Sequence, residues 1–213
     1  MLYLFVVRHG ETSCNVEQRH TGWLNYPLTE KGIAQADRAS TYYHALSFDR
    51  YYCSDIWRTR QTFEHIFGAR EDCTYTHLLR ELSSGECAGK KFTECEKLYG
   101  DRYRNARKTM DFSSFNGESM EDLFIRARTF LQEVEQLPSE VRCIAAVSHG
   151  MIMRGLYWAI SGVNPLELPV SIDNCGTIVL QLDDARKWRM RAWNVQDISS
   201  QTDLIDEAFK SGK

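Results

Sequence analysis

The chain has 213 residues, of which 43% are hydrophobic and 26% charged, with a formal net charge of -3. That length fills one domain with a well-buried core and is short for two, and the lack of a basic excess argues against nucleic acid or an anionic membrane as the principal partner. The longest apolar runs, Leu2 to Val7 and Ile144 to Val147, fall far below the roughly 20 residues of a bilayer-crossing helix.

No basic stretch precedes the first apolar run and Arg8 cuts it short, so no secretory signal is expected and the location reads as cytoplasmic. The seven cysteines are an odd number without a C-x-x-C pair. They suit reduced thiols filling the core better than disulfides or structural zinc.

In chain order, Leu2 to Val7 reads as a strand, followed by a helix from Glu30 to Leu46 that Thr29 can cap. Asp49 to Ser54 is a second strand, Ile56 to Phe67 a second helix and Cys73 to Thr76 a short third strand. The segment from Ser83 to Asn116 is polar, aromatic and basic, and reads as a helical excursion over the sheet edge. From Ser119 to Leu137 apolar residues recur at helical spacing, with a capping-box pattern at Ser119 and Asp122. Arg142 to Val147 is then a strand, Met151 to Ile160 an apolar helix, and Thr177 to Leu182 with Arg189 to Trp193 a closing pair of strands. The tail after Gln196 is polar and reads as mobile. Strands alternating with helices imply an α/β fold with a mostly parallel sheet covered on both faces, the whole chain forming a single domain.

In an open parallel sheet, ligands bind beyond the carboxyl ends of the strands. Arg8 and His9 follow the first strand, Arg58 lies on the first turn after the second, Glu81 a few residues past the third, and Ser148, His149 and Gly150 follow the fourth. Two arginines, two histidines and a carboxylate converge on one rim. Arginine forks match phosphate bidentately and neutralise charge on its oxygens. A neutral imidazole can attack phosphorus, and a carboxylic acid can protonate the leaving oxygen and later take a proton from water. Such a site needs no metal or other cofactor, and no H-E-x-x-H or Asp-rich ligand set is visible. The other histidines, His20, His44, His65 and His77, read as structural or surface residues, and Arg60 as a surface helix residue. Glu86 lies close enough to Glu81 to compete for its role.

"RHGET" with Asn15 resembles the R-H-G-x-S/T-x-x-N signature of the histidine phosphatase superfamily, also called the phosphoglycerate mutase-like family. "GWLNYPLTEKGIAQA", "CSDIWRTRQT", "LLRELSSGECAG", "GES" and "VSHG" resemble further segments of that family in the right order, and the likeness runs to about Asn174. The resemblance implies a three-layer α/β/α sandwich, His9 as the phosphorylated nucleophile, Arg8, Arg58 and His149 as phosphate holders and Glu81 as acid and base. It also implies that Asn15, Thr21, Gly22 and Asn174 border the substrate, and that the segment from about 83 to 116 shapes substrate choice. Two departures stand out. Asn25 replaces a common aspartate, which reads as structural, and Cys87 with Ala88 replaces an aromatic and acidic pair in a segment that often faces the substrate.

Within the family, water accepts the phosphoryl group in phosphatases and a second hydroxyl accepts it in phosphoglycerate mutases. "NVEQRHTGWLN" looks mutase-like, and Lys90, Lys91 and Arg102 to Lys108 could meet an acidic substrate or form a solvated face. The stretch between Glu81 and Gly117 is shorter than in glycolytic mutases, which favours a phosphatase of small phosphorylated metabolites. The alternatives are a 2,3-bisphosphoglycerate-dependent mutase and a non-catalytic phospho-ligand-binding protein. Oligomeric state is open, a homodimer included.

Overall fold

The structure, a computed structural model, describes residues 1–167 and 171–210. Six strands form one sheet in the order β3-β2-β4-β1-β5-β6. The first, β1 (Leu2–Arg8), lies at the centre and is buried on both faces. Because successive side chains of a strand point to opposite faces, Leu2, Leu4 and Val6 enter one core while Tyr3, Phe5 and Val7 enter the other. A run of six apolar residues, Leu2 to Val7, without polar alternation is what such a two-sided strand requires.

The chain then forms a short helix, α1 (Ser13–Val16), which was not expected from the sequence, and α2 (Glu30–Tyr43), whose Gly32 amide is capped by the Thr29 hydroxyl at 3.0 Å. β2 (Arg50–Ser54), α3 (Trp57–Phe67) and β3 (Cys73–Thr76) follow. Asn25 Oδ1 accepts from the Trp57 amide at 3.1 Å and so caps α3, whose own cap position, Ile56, cannot. That is the structural role expected for Asn25.

Next come α4 (Phe92–Thr109), broken at Gly100 by non-helical backbone, and α5 (Met120–Glu135), which carries the Ser119–Asp122 capping box. β4 (Cys143–Ser148), α6 (Gly150–Ser161), β5 (Thr177–Leu182), β6 (Trp188–Val195) and a final short helix, α7 (Thr202–Ile205), complete the chain.

β1 to β4 run parallel to one another, while β5 lies antiparallel to β1 and β6 antiparallel to β5. On one face, α2 and α3 cover the core containing Ala36, Ala39, Phe63 and Ile66; on the other, α5 and α6 cover the core containing Phe130, Val134, Ile152 and Leu156. The three layers expected from the sequence are present.

Two expectations need correction. The tail after Gln196 is not a mobile appendage: Ile198, Leu204 and Ala208 are buried, and the Phe209 ring stacks at 5.6 Å from Phe5 and 5.3 Å from Phe48. Its polar residues face outward, and Glu207 forms an ion pair with Arg191 at 2.8 Å. The excursion, expected over the sheet edge, carries α4 and is packed into the core. Cys87, Cys95, Tyr103, Ala106, Phe112 and Phe115 join the core beneath α5 and α6, which brings α4 beside the carboxyl ends of the strands. No helix among the described residues is long and apolar enough to cross a membrane. All seven cysteines are free and buried.

Candidate active site

β1 ends in Arg8, β4 lies between β1 and β2, and His149 follows β4 directly. Adjacent parallel strands thus deliver Arg8, His9 and His149 to one point, where the two imidazoles meet edge to face with centroids 5.2 Å apart. Arg58, the second residue of α3, enters from the neighbouring β2 unit and is fully buried. The stretch after β3 brings Glu81 to the same place.

His9 is held at three points. Its backbone amide donates to Ser148 O at 3.0 Å, its carbonyl accepts from Asn174 Nδ2 at 2.9 Å, and its ring Nδ1 lies 2.7 Å from Gly10 O. A carbonyl can only accept, so Nδ1 carries the proton and Nε2 keeps its lone pair. Burial first, then the charges of Arg58 and Arg8, hold the His9 pKa well below the usual histidine value. The ring is neutral at physiological pH. His149 is likewise kept neutral by burial and by Arg58, with Nε2 2.9 Å from Ser54 Oγ.

Arg58 donates to the carbonyls of Leu24 at 3.1 Å and Gly22 at 3.0 Å, and burial brings its pKa down to about 10. Arg8 donates to Ile172 O. Three buried nitrogens of this group, Arg8 Nε, Arg58 Nε and His149 Nδ1, have no hydrogen-bond partner. An unpaired buried polar atom costs about 1–3 kcal/mol, so unpaired nitrogens on three residues around His9 call for an explanation, and an oxygen-rich anion would supply the missing acceptors.

Glu81 accepts from the Leu82 amide at 2.9 Å and from the Met151 amide at 3.0 Å, at the start of α6. Glu86 is turned away and accepts from Asn116 at 2.8 Å, which removes it as a competitor. Arg126 of α5 fixes the segment bearing Glu81: it donates to the carbonyls of Leu78 at 3.0 Å, Arg80 at 2.9 Å and Glu81 at 3.2 Å, and is held at 2.7 Å by Glu118 of the "GES" segment.

A cavity of about 330 Å³ opens here, lined by Arg8, His9, Arg58 and Glu81 together with Asn15, Thr21 and Gly22, while His149 is fully buried beside His9 and is not itself in the wall. Asn15 Oδ1 accepts from the Thr12 amide at 3.0 Å, which leaves its NH2 for the cavity. Asn174 is not part of the wall, contrary to the expectation that it borders the substrate; its contact is with the His9 backbone. Gly10, which follows His9, packs against the start of α2. A Cβ there would lie 2.5 Å from Gly32 O, so Gly10 makes room for the first turn of α2.

The chain matches the family model of the histidine phosphatase superfamily (branch 1) over residues 4–196. It belongs to that superfamily. A relative from Salmonella paratyphi A, named "Probable phosphoglycerate mutase GpmB", is 32% identical over 199 residues, covering 92% of each chain. Among solved structures, YhfR of Bacillus stearothermophilus superposes with a TM-score of 0.83 at 25% identity, covering 92% of this chain and 98% of that one. The alpha-ribazole phosphatase of Shigella flexneri has the same fold, with a TM-score of 0.83 at 21% identity over 92% of this chain and 97% of that one.

The rest of the superfamily member's cavity was not legible in advance. Its far wall consists of His20, Phe92, Met110 and Phe112, with Leu82, Ser84 and Met151 beside them and Arg19 and Arg107 at the rim. His20, read from sequence as structural or surface, instead lines the cavity. Of the basic stretch, Arg107 faces the cavity, while Arg104 is paired with Asp101 and Lys90 donates to Glu86 O at 2.6 Å. Cys87 is buried in the core beside Cys95 and lies outside the cavity wall, so that departure from the family pattern alters packing rather than the wall itself.

Proposed function

We propose that the chain is a cytoplasmic, metal-independent phosphatase of small phosphorylated metabolites that works through a phosphohistidine at His9. The observation that carries this reading is a neutral imidazole with a free Nε2 lone pair that shares one cavity with the guanidinium groups of Arg8 and Arg58 and the carboxylate of Glu81. Arg8 Nε, Arg58 Nε and His149 Nδ1 would hold the phosphoryl oxygens, the last as a donor when the Ser54 hydroxyl donates to Nε2. Donors aimed at the equatorial oxygens stabilise charge in the transition state without reorganising.

In the first step the His9 Nε2 lone pair forms a bond to phosphorus, the phosphorus–oxygen bond to the alcohol breaks, and Glu81 gives its proton to the departing oxygen. In the second, a water oxygen bonds to phosphorus, the phosphorus–nitrogen bond breaks, and the Glu81 carboxylate takes the water's proton. Inorganic phosphate leaves and the starting enzyme is restored.

Release of phosphate from p-nitrophenyl phosphate in EDTA, compared between wild type and His9→Ala, tests the reading. Turnover that survives EDTA and vanishes in the variant supports it. Restoration by a divalent ion of activity lost in EDTA would overturn the metal-independent step.

A mutase reading is favoured by the 32% identical relative named as a phosphoglycerate mutase. It requires a phosphoglycerate hydroxyl to outcompete water for the phosphohistidine. Interconversion of 2- and 3-phosphoglycerate faster than phosphate release would establish it.

A further inference from the structure

The cavity has two chemically different halves, and only one is used by phosphoryl transfer. At the strand ends stand Arg8, His9, Arg58 and Glu81; away from them the wall is Leu82, Phe92, Met110 and Phe112 around His20. Phe92, Phe112 and Tyr103 surround the His20 ring with centroids at 4.6, 5.2 and 5.5 Å. The His20 Nε2 is engaged by the Tyr103 hydroxyl at 2.7 Å, which fixes the ring within the aromatic wall. A polyol in this half would meet the buried, unpartnered Ser84 hydroxyl and the His20 ring but would leave its remaining hydroxyls facing carbon, each at a desolvation cost. A planar apolar body would instead bury its surface against the rings.

The charge balance adds a second requirement. Four guanidinium groups, Arg8, Arg19, Arg58 and Arg107, line the cavity against one carboxylate, Glu81. A phosphate dianion meets Arg8 and Arg58 at the floor. Arg19 is already paired with Glu17 at 2.7 Å. Arg107 is exposed at the rim with its guanidinium carbon 4.4 Å above the Phe92 ring, so that its charge is held at the edge of the apolar wall.

We infer that the substrate of this site is an amphipathic phosphomonoester whose leaving alcohol carries a planar apolar body, set against the partly exposed Phe92 and Met110, and a second anionic group that meets Arg107. The inference rests on the phosphatase reading and sharpens it, since it selects against phosphoglycerate and simple sugar phosphates. Arg107 and the aromatic wall select the body of the alcohol, while the residues at the strand ends act on the phosphoryl group and the departing oxygen.

The test compares 4-carboxyphenyl phosphate with its neutral 4-carbamoyl analogue, glycerol 3-phosphate and 3-phosphoglycerate in EDTA. The two aryl esters have similar leaving groups and differ in the charge that Arg107 would meet. Wild type is expected to show kcat/KM at least about tenfold higher for the carboxylate than for the carbamoyl ester, the size expected of one charge-assisted contact. Both aryl esters should exceed the two three-carbon phosphates. Arg107→Gln should collapse the carboxylate-to-carbamoyl ratio towards one, mainly through KM. An unchanged ratio in that variant, a wild-type ratio near one, or faster turnover of the three-carbon phosphates would overturn the inference and leave the phosphatase reading standing. Silence on every ester, p-nitrophenyl phosphate included, would overturn both.

Discussion

The ring Nδ1 of His9 donates to the carbonyl oxygen of Gly10, the next residue in the chain, across 2.7 Å. This local contact decides which nitrogen of the imidazole is free. Nε2 is left as the lone pair for phosphorus, and burial with two neighbouring arginines keeps it unprotonated. The tautomer is therefore set by backbone geometry at the end of β1, and anything that moves that backbone moves the nucleophile.

Asn174 reaches across from the turn before β5 to the His9 carbonyl at 2.9 Å, without lining the cavity. Asn174→Ala is expected to lower kcat by about tenfold with little change in KM, because misplacement of a reacting group is read in the chemical step. A rise in KM at constant kcat would show that Asn174 contacts substrate instead.

Gly10 and Gly32 pack backbone against backbone. A Cβ at Gly10 would fall 2.5 Å from Gly32 O, and one at Gly32 2.1 Å from Glu11 O. Neither backbone can yield without moving α2 or the His9 turn. Gly10→Ala should cost about 2–3 kcal/mol of stability, as overpacking does, and lower kcat as well. Urea unfolding and steady-state kinetics on the same preparation check both, and a fully stable, fully active variant would contradict the packing argument.

Arg126 and Glu118 form a largely buried pair at 2.7 Å, with side-chain exposures of 12% and 13%, and tie down the segment carrying Glu81. Arg126→Met removes six hydrogen bonds together, four to the carbonyls of His77, Leu78, Arg80 and Glu81 and two to Glu118, and leaves Glu118 without its counter-charge. A loss of about 3 kcal/mol is expected. Activity should fall further with poor leaving groups than with p-nitrophenolate, because only the former need the proton from Glu81. Equal losses on both would separate Arg126 from the acid.

Two buried histidines, His9 and His149, and one half-buried one, His20, make the fold acid-sensitive. Burial lowers the pKa of His9 and His149 well below the usual value and brings His20 down to about 4. Each takes a proton on unfolding below about pH 6.5 that it does not hold when folded. Stability is thus complete above that pH and declines as pH falls through it, by up to about 1.4 kcal/mol per pH unit for each fully neutral buried histidine. Thermal melts between pH 5 and 8 should show the midpoint falling below about 6.5, and less steeply in His20→Gln. A flat profile would mean that the rings are charged in the folded state.

The order of strands and helices, the caps at Thr29 and Ser119 and the central place of β1 were legible in the sequence, since each depends on residues within a turn or a strand of one another. So were Arg8, His9, Arg58, Glu81 and His149 as one rim, because a parallel sheet carries every strand's end to the same side and the family motifs mark those ends. The tail was misread for the opposite reason: Leu204, Ala208 and Phe209 are spaced among polar residues, and only the docked surface of Phe5 and Phe48 shows where they go. Three decisions belonged to tertiary structure alone. The free nitrogen of His9 depends on where Gly10 O points, Asn174 acts through a backbone 165 positions away, and the aromatic wall assembles His20 with Phe92, Tyr103 and Phe112 from segments distant in sequence. Sequence fixes the chemistry that each element brings because side-chain type and local periodicity are properties of short stretches. Which lone pair is free, and which carbon faces the substrate, are properties of packing between stretches, and packing is settled by shape in three dimensions.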